Sequence, residues 1–558
     1  MSGKISRRAF VGTAAVGLAA GPALAQAGSA SILGKLTPRG KRRIIYVSDP
    51  SSIAISYLPD PTTEADLRRW VDDLVEARVD TFIQEAYTQG WTTYWRDQRH
   101  EYDARPQHRR FLPLLNAGVQ PLAVLIDQSH RRGIEFLAGV RINDNHGHVS
   151  VQQGVGAGAR FLTSNPQWLL KEAPPGAYYK LSTPLDFTFA EVRNYVFSVV
   201  EDMVRRFDLD GIELCFRDHG YFPPGKGPEN QPRMTELVRR VRDLLTQQST
   251  VKKKKLLLGA RVYQTLAECR DQGLDVREWI AGGLLDYVAP NDVIYSDFNA
   301  PYDAFTELAR AAPDCRVYPA ILPWTSVRSR RRLASQPISL DQQRALAQNF
   351  YGAGADGISF YNHMVPNDWA PFYPEMLHDF HELRDPERVA RGRRHYVFEP
   401  LWAGAMGFGP DRTSTGAVKA DKIVLERKAP QPGRYRFRIC EDIKRVRRAS
   451  LLFRAFHMTP KDQCAVRING SAVPADAIRR SNSERRLDMK APVDPTSRTH
   501  AGEPLVPDVP GVFCTFRFEL KAPPVLYGDN WLEVALTAAD PAAEDRVVID
   551  EIEVLVLP

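Results

Sequence analysis

The sequence predicts an α/β protein, a TIM (β/α)8 barrel followed by an antiparallel β-sandwich domain. Three observations carry this. Eight short β-rich runs, at 44–47, 81–86, 135–140, 211–216, 256–262, 286–289, 316–321 and 357–361, alternate with amphipathic helical stretches. Most of these runs are apolar on both faces, as strands of a parallel sheet covered by helices are. After His395 the pattern changes to strand-like runs punctuated by Pro, Gly and Asp, with no long helical period.

Residues 1–30 read as an export signal. Arg7 and Arg8 precede a weakly apolar run from Val11 to Ala25, closing on Ala23-Leu24-Ala25, a small-x-small cleavage pattern. The run is too short for a bilayer about 30 Å thick. Twin arginines with mild hydrophobicity fit the twin-arginine pathway. The expected partner during export is therefore the twin-arginine translocation machinery, with cleavage after Ala25 and a periplasmic or secreted product. No later stretch reaches 18 consecutive apolar residues, so no transmembrane segment is expected in the mature chain.

The barrel is expected over 40–385. Between the first two strands, Leu67, Trp70, Val71, Leu74 and Val75 share one helical face behind Thr63, with Asp66 placed to complete a cap. A longer stripe from Val192 to Phe207 feeds the fourth strand, and Leu237 to Leu245 repeats the pattern before the fifth. No G-x-G-x-x-G follows the first strand, which argues against a doubly wound dinucleotide-binding sheet. The sandwich is expected over 395–558, from runs at 422–426, 435–440, 450–455, 463–468, 512–520, 530–536 and 546–556, with 386–394 as the seam.

Composition narrows the class. Hydrophobic residues at 43% and charged residues at 25% are those of a folded globular chain. Removing Lys4, Arg7 and Arg8 with the signal lowers the net charge from +7 to +4. The basic clusters at 39–43, 252–255, 328–332 and 391–394 are short, scattered and without interleaved aromatics, so no nucleic-acid partner is expected. The six cysteines contain no C-x-x-C pair, and no zinc or redox motif follows. Cys464 and Cys514 fall on separate sandwich strands and are the pair to test for a disulfide.

In a TIM barrel the chemistry sits at the C-terminal ends of the strands. Reading those ends gives Glu85, Trp91 and Trp95 after the second strand, then Arg141, Asn143, Asp144, His146 and His148 after the third. The fourth carries Glu213, Cys215 and Arg217, the fifth Arg261, the sixth Asn291 and Asp292, the seventh Trp324 and the eighth Asn362. Carboxylates, arginines, amides and aromatics without a phosphate cradle or nucleophile elbow suit a carbohydrate. Glycoside hydrolysis needs one carboxylic acid and one carboxylate. The candidate catalytic set is Glu213 with Asp144 or Asp292 as partner. Glu85, Trp91, Trp95, Arg141, Asn143, His146, Arg217, Arg261, Asn291, Trp324 and Asn362 are candidates for binding substrate. Neighbouring strands about 4.8 Å apart allow a retaining pair from Asp144 and Glu213; Glu213 and Asp292, two strands apart, suit an inverting one. Arg141, Arg217 and Arg261 on one rim suggest an acidic glycan. The set calls for no metal and no cofactor. The period of two puts Glu213, Cys215 and Arg217 on one face of the fourth strand. A buried Glu–Arg pair that only lines the barrel is the competing reading of Glu213.

Asp210-Gly211-Ile212-Glu213-Leu214, the following Arg217 and Tyr221-Phe222, Phe82-Ile83-Gln84-Glu85, Asn165-Pro166-Gln167-Trp168-Leu169, Asp356-Gly357-Ile358 and Tyr527-Gly528-Asp529-Asn530 together resemble the glycosyl hydrolase-like 10 group of bacterial exported proteins. The resemblance implies a barrel enzyme of polysaccharide breakdown with a carbohydrate-binding-like sandwich. Its members commonly carry Asp where this chain has Cys215. The expected function is that of an exported glycoside hydrolase. The alternatives are a non-catalytic glycan-binding protein on a degenerate barrel, and a lyase or metal-dependent hydrolase using His146 and Asp144.

Overall fold

The computed structural model describes residues 43–143, 160–171, 184–325, 338–363, 377–398, 423–485 and 511–558, except 50, 52, 55–56, 89–90, 104, 217–219, 293–294, 313, 362 and 429. The signal and its cleavage site lie outside these residues, as do Asp144, His146, His148, Arg217 and Asn362.

The expected strands form one parallel sheet: β1 (Arg43–Ser48), β2 (Thr81–Thr88), β3 (Glu135–Arg141), β4 (Gly211–Cys215), β5 (Leu257–Val262), β6 (Tyr287–Pro290), β7 and β8 (Gly357–Tyr361). The seventh is in two pieces, Arg316–Val317 and Ala320–Ile321. Its first piece pairs with β6 and its second with β8, which pairs with β1. The sheet therefore closes on itself through a strand interrupted at Tyr318-Pro319. Pro319 has no N–H to give a ladder, yet its carbonyl accepts from Ser359 N–H at 2.9 Å, so the closure holds across the break.

The helices follow their periodicity. In α1 (Glu64–Glu76) Thr63 Oγ1 accepts the Asp66 N–H while the Asp66 carboxylate accepts the Thr63 N–H, closing the expected capping box. Leu67, Trp70, Val71 and Leu74 are buried against the sheet's outer face. In α2 (Ala190–Arg206) and α3 (Gly227–Lys252) the apolar stripes are buried in the same way, and of the charged residues of α2 Arg193 and Asp202 are buried with them. Among the described residues no helix is long and apolar enough to cross a membrane.

The stretch 386–394, expected as the seam, holds a helix and the start of a strand. Asp385 accepts the Glu387 N–H and Pro386 opens the helix α4 (Pro386–Arg391), which runs into β9 (Arg394–Phe398). The sandwich continues with β10 (Ile423–Leu425), β11 (Gly433–Ile439), β12 (Arg448–Phe456), β13 (Gln463–Ile468), β14 (Arg479–Arg485), β15 (Gly511–Glu519), β16 (Gly528–Ala538) and β17 (Val547–Leu557). One sheet runs β9-β17-β12-β15-β14 with β10 also on β17; the other holds β11, β16 and β13. Strict alternation of buried and part-exposed residues along β16 shows one face in the core. The sandwich docks on the barrel through two buried asparagines. Asn299 bonds the Arg436 carbonyl at 2.9 Å and the Arg438 N–H at 2.8 Å; Asn349 bonds the Arg438 carbonyl at 2.9 Å and the Cys440 N–H at 2.8 Å.

All six cysteines are free thiols, which corrects the expectation for Cys464 and Cys514. Cys514 Sγ lies against the Met458 carbonyl and the Asn482 side chain instead.

Candidate active site at the barrel axis

Alternation decides what fills the barrel. Odd-numbered residues of β1, β2, β3 and β6 point inward, and Ile45, Ile83, Leu137, Tyr287 and Tyr318 pack together as an apolar floor. Above this floor the same parity brings in charge. Glu213 accepts from Arg261 Nε at 2.8 Å and Arg261 Nη2 at 3.2 Å, one donor to each oxygen, and from the Tyr287 hydroxyl at 2.9 Å. Both members of the ion pair are 0% exposed. Arg261 also donates to Ser359 Oγ at 3.3 Å and lies 5.4 Å over the Tyr361 ring. The Tyr361 hydroxyl donates to Glu85 at 2.7 Å, Arg141 Nε stands 3.6 Å from the same carboxylate, and Arg141 Nη1 donates to Asp49 at 2.7 Å. A row of alternating charge thus crosses the barrel from β6 to the end of β1.

Two glycines make room for it. A Cβ on Gly259 would stand 1.9 Å from Cζ of Tyr287, and one on Gly139 would stand 2.8 Å from Cγ of Glu85. Any larger residue at 259 would push the Tyr287 ring off Glu213. Ala86 is the extra residue of a bulge in β2 against β3, directly after Glu85. Such a bulge ends the regular alternation beside the site.

Burial pulls the Arg261 guanidinium toward losing its proton, and Glu213 beside it more than compensates, so its pKa stands above the ordinary arginine value. Burial likewise pushes the Tyr287 phenol up, with Glu213 adding to it, and keeps it an O–H donor. Three donors converging on two oxygens make Glu213 an acceptor. Its two oxygens are thereby held in one orientation, the geometry that a charge-stabilising or nucleophilic carboxylate requires.

The site corrects several expectations. Arg141 and Arg261 are already paired with Asp49, Glu85 and Glu213, so neither guanidinium stands ready for an acidic glycan. Asn143 is spent on backbone, its amide donating to Leu185 and Gly220 carbonyls and its oxygen accepting the Leu185 N–H. Trp95 is buried behind the barrel, where its N–H donates to Asp202 of α2 at 3.2 Å and its ring meets Phe207 edge-on. The chain turns outward after β2, so a tryptophan past that strand end is core. Trp324 is also buried, in a backbone bridge with Tyr295. Trp91 pairs its backbone with Thr88, and its side chain lies outside the described residues. Asp292 and Asn291 are buried at the end of β6, where the Asn291 amide donates to the Asp292 carbonyl. Glu213, Arg261, Glu85 and Arg141 are therefore brought together, while Asn143 and Trp95 serve elsewhere. The sequence reading missed Tyr287, Ser359, Tyr361 and Asp49. The first three share the inward parity of their strands, and combining parity with register was the signal that could have found them.

Cys215 is buried and stands in register with Arg141 on β3 and Arg261 on β5. An aspartate there would lie between two arginines.

Residues 43–243, from β1 into α3, match the glycosyl hydrolase-like 10 family. The glycosyl hydrolase-like match covers the half of the barrel that carries Asp49, Glu85, Arg141, Glu213 and Cys215. Solved structures similar to the chain include α-L-fucosidase isoenzyme 2 from Paenibacillus thiaminolyticus, at 15% identity over 66% of this chain and 53% of that one, with a TM-score of 0.40. The glycoside hydrolase domain of PgaB (BpsB) from Bordetella bronchiseptica is similar at 15% identity over 62% and 99%, TM-score 0.40. An α-amylase from Geobacillus thermoleovorans is similar at 12% identity over 88% and 98%, TM-score 0.33. The chain spans about half the length of the fucosidase. No curated protein matches the chain.

Proposed function

We propose that the protein is an exported glycoside hydrolase acting on a polysaccharide or oligosaccharide, with Glu213 as the ionised carboxylate of the pair. The observation that carries this reading is the two-pronged Arg261 fork and the Tyr287 hydroxyl on Glu213, set among inward residues of a glycosyl hydrolase-like barrel. The fork orients the carboxylate, which a nucleophile or an oxocarbenium-stabilising group needs. The acid must then be another group, with Asp144 and Asp292 the candidates from the strand ends.

A second reading, a glycan-binding protein on a barrel that has lost catalysis, is favoured by Cys215 and by the complete burial of Glu213. Product analysis of the mature protein over a panel of polysaccharides separates the two. The hydrolase reading expects new reducing ends, lost by 10³-fold or more in E213Q, a change of about 4 kcal/mol in the barrier. Binding without products, with C215D gaining activity, establishes the second reading. Full turnover by E213Q removes Glu213 from the chemistry.

A further inference from the structure

A second group of reactive side chains meets where the loop after β1 touches the excursion that follows β2. Ser51 Oγ stands 3.1 Å from His108 Nε2. His108 Nδ1 stands 2.9 Å from Asp103 Oδ2, off the direction of a well-formed hydrogen bond. His108 and Asp103 are buried, whereas Ser51 is half-buried. The row is built on fixed backbone. The 3₁₀ turn Pro106–Phe111 carries His108, whose carbonyl accepts from the Tyr102 hydroxyl at 2.9 Å. The Asp103 N–H is bonded to the Thr92 carbonyl at 2.8 Å. Arg105 Nε bonds both oxygens of Asp103 at 2.9 Å. Although burial opposes it, His108 and Arg105 hold the Asp103 carboxyl well below the usual carboxylate range. The Gln107 amide donates to Ser51 Oγ at 3.3 Å, and with His108 as the Nδ1–H tautomer Nε2 accepts the hydroxyl proton of Ser51.

A second Asp–His–Ser row nearby shows what distinguishes the first. His100 Nδ1 stands 2.5 Å from Asp97, and Nε2 stands 3.1 Å from Ser198 Oγ. Ser198, however, donates its proton to the Tyr195 carbonyl within α2 at 2.7 Å. That serine is spoken for, and the row fastens the excursion to α2. No backbone carbonyl takes the proton of Ser51 among its described contacts.

We propose that Ser51 and His108, with Asp103 positioning the imidazole, hydrolyse a short-chain O-acyl ester at the mouth of the barrel. Ser51 Oγ attacks the ester carbonyl carbon as its proton passes to His108 Nε2. The C–O bond to the alcohol breaks, and that oxygen takes the proton back from His108. Water then attacks the acyl carbon, giving a proton to His108; the bond between that carbon and Ser51 Oγ breaks, Oγ takes the proton back from His108, and the carboxylic acid leaves. The sum is ester plus water giving acid plus alcohol. Gln107, beside the nucleophile, is the amide donor for the oxyanion. Asp49 ties this group to the barrel, since one oxygen accepts the Ser51 N–H at 2.9 Å and the other accepts Arg141 at 2.7 Å. That the ester is carried on a carbohydrate rests on the proposed function; the hydrolysis itself does not.

The test uses the mature protein with p-nitrophenyl acetate, an acetylated polysaccharide and a fluorophosphonate probe. The expected result is a single adduct on the peptide holding Ser51 and acetate release from both substrates. S51A loses both by 10²-fold or more at unchanged thermal midpoint, H108A loses both per folded molecule by as much, and S198A retains both. D103N lowers kcat with KM unchanged, whereas a merely structural role for Asp103 lowers the thermal midpoint instead. E213Q loses reducing-end release and keeps acetate release, so the two readings fail separately. Turnover of p-nitrophenyl acetate without acetate from the polysaccharide overturns the carbohydrate carrier. No adduct and no turnover by the wild type, or equal turnover by S51A, overturns the relay.

Discussion

The molecule builds the same fork twice. In the barrel, Arg261 grips Glu213 with two N–H donors while Tyr287 donates to one oxygen. At the seam with the sandwich, Arg394 grips Glu441 at 2.9 and 2.8 Å while Tyr396 donates at 2.6 Å. Both pairs are buried, and in both the carboxylate holds the arginine's pKa above its ordinary value against the opposing pull of burial. The surroundings differ. The remaining donors of Arg394 go to the Ala390 and Gly392 carbonyls at the end of α4, so this fork is wholly a clasp between the barrel's last helix and the first strand of the sandwich. The remaining face of Arg261 turns to Ser359 and Tyr361 and through them to Glu85 and Arg141. An Arg–Glu–Tyr fork is thus no mark of catalysis by itself. Its place on the barrel axis carries the functional reading.

That contrast can be broken at several points. Removing Glu441 leaves Arg394 buried and unpaired, and E441A should lose about 3–5 kcal/mol of unfolding free energy in denaturant titrations, with any glycan turnover by the folded fraction unchanged. G259A in the barrel should lose about 1–3 kcal/mol, because its methyl and the Tyr287 ring compete for one space. G259A should also reduce turnover, which E441A does not. Acid should distinguish the two halves as well. His363 is buried between Phe360 and Phe380, its Nε2–H donating to the Ile321 carbonyl at 3.0 Å, and burial lowers its pKa to about 4. A depressed histidine contributes stability above its unfolded value, lost as pH falls from about 6.5 toward 4, on the order of 3 kcal/mol in all. In the sandwich, although burial opposes it, His395 and Arg454 hold Glu553 at about 2, so that contribution persists until pH falls from about 4.5 toward 2. The barrel should therefore loosen first, read as the loss of protected barrel amides in hydrogen exchange between pH 6.5 and 4, and H363N should flatten that dependence.

Much of this fold was legible because each barrel strand buries both faces and each helix a stripe, so hydrophobic period and element coincide. β14 escaped because it is an edge strand of sequence Arg-Arg-Ser-Asn-Ser-Glu-Arg, held by backbone pairing to β15 with no apolar alternation to signal it. The helix at 386–391 was hidden by its arginines, although Asp385-Pro386 was a readable start. At the site, Glu213 and Arg261 were legible as inward residues. What they do to each other was not, since that depends on register between strands 48 residues apart in sequence. Trp95 misled because position past a strand end says nothing of which way the chain then turns.

On the proposed function Glu213 works on substrate while its twin at the seam does not. The most direct test is reducing-end release from a responsive polysaccharide by the wild type, E213Q and E441Q, with each protein's folded fraction measured alongside. Turnover is expected to fall by 10³-fold or more in E213Q at a retained folded fraction, and turnover per folded molecule to stay within about twofold of wild type in E441Q. Equal turnover in E213Q and the wild type would contradict it.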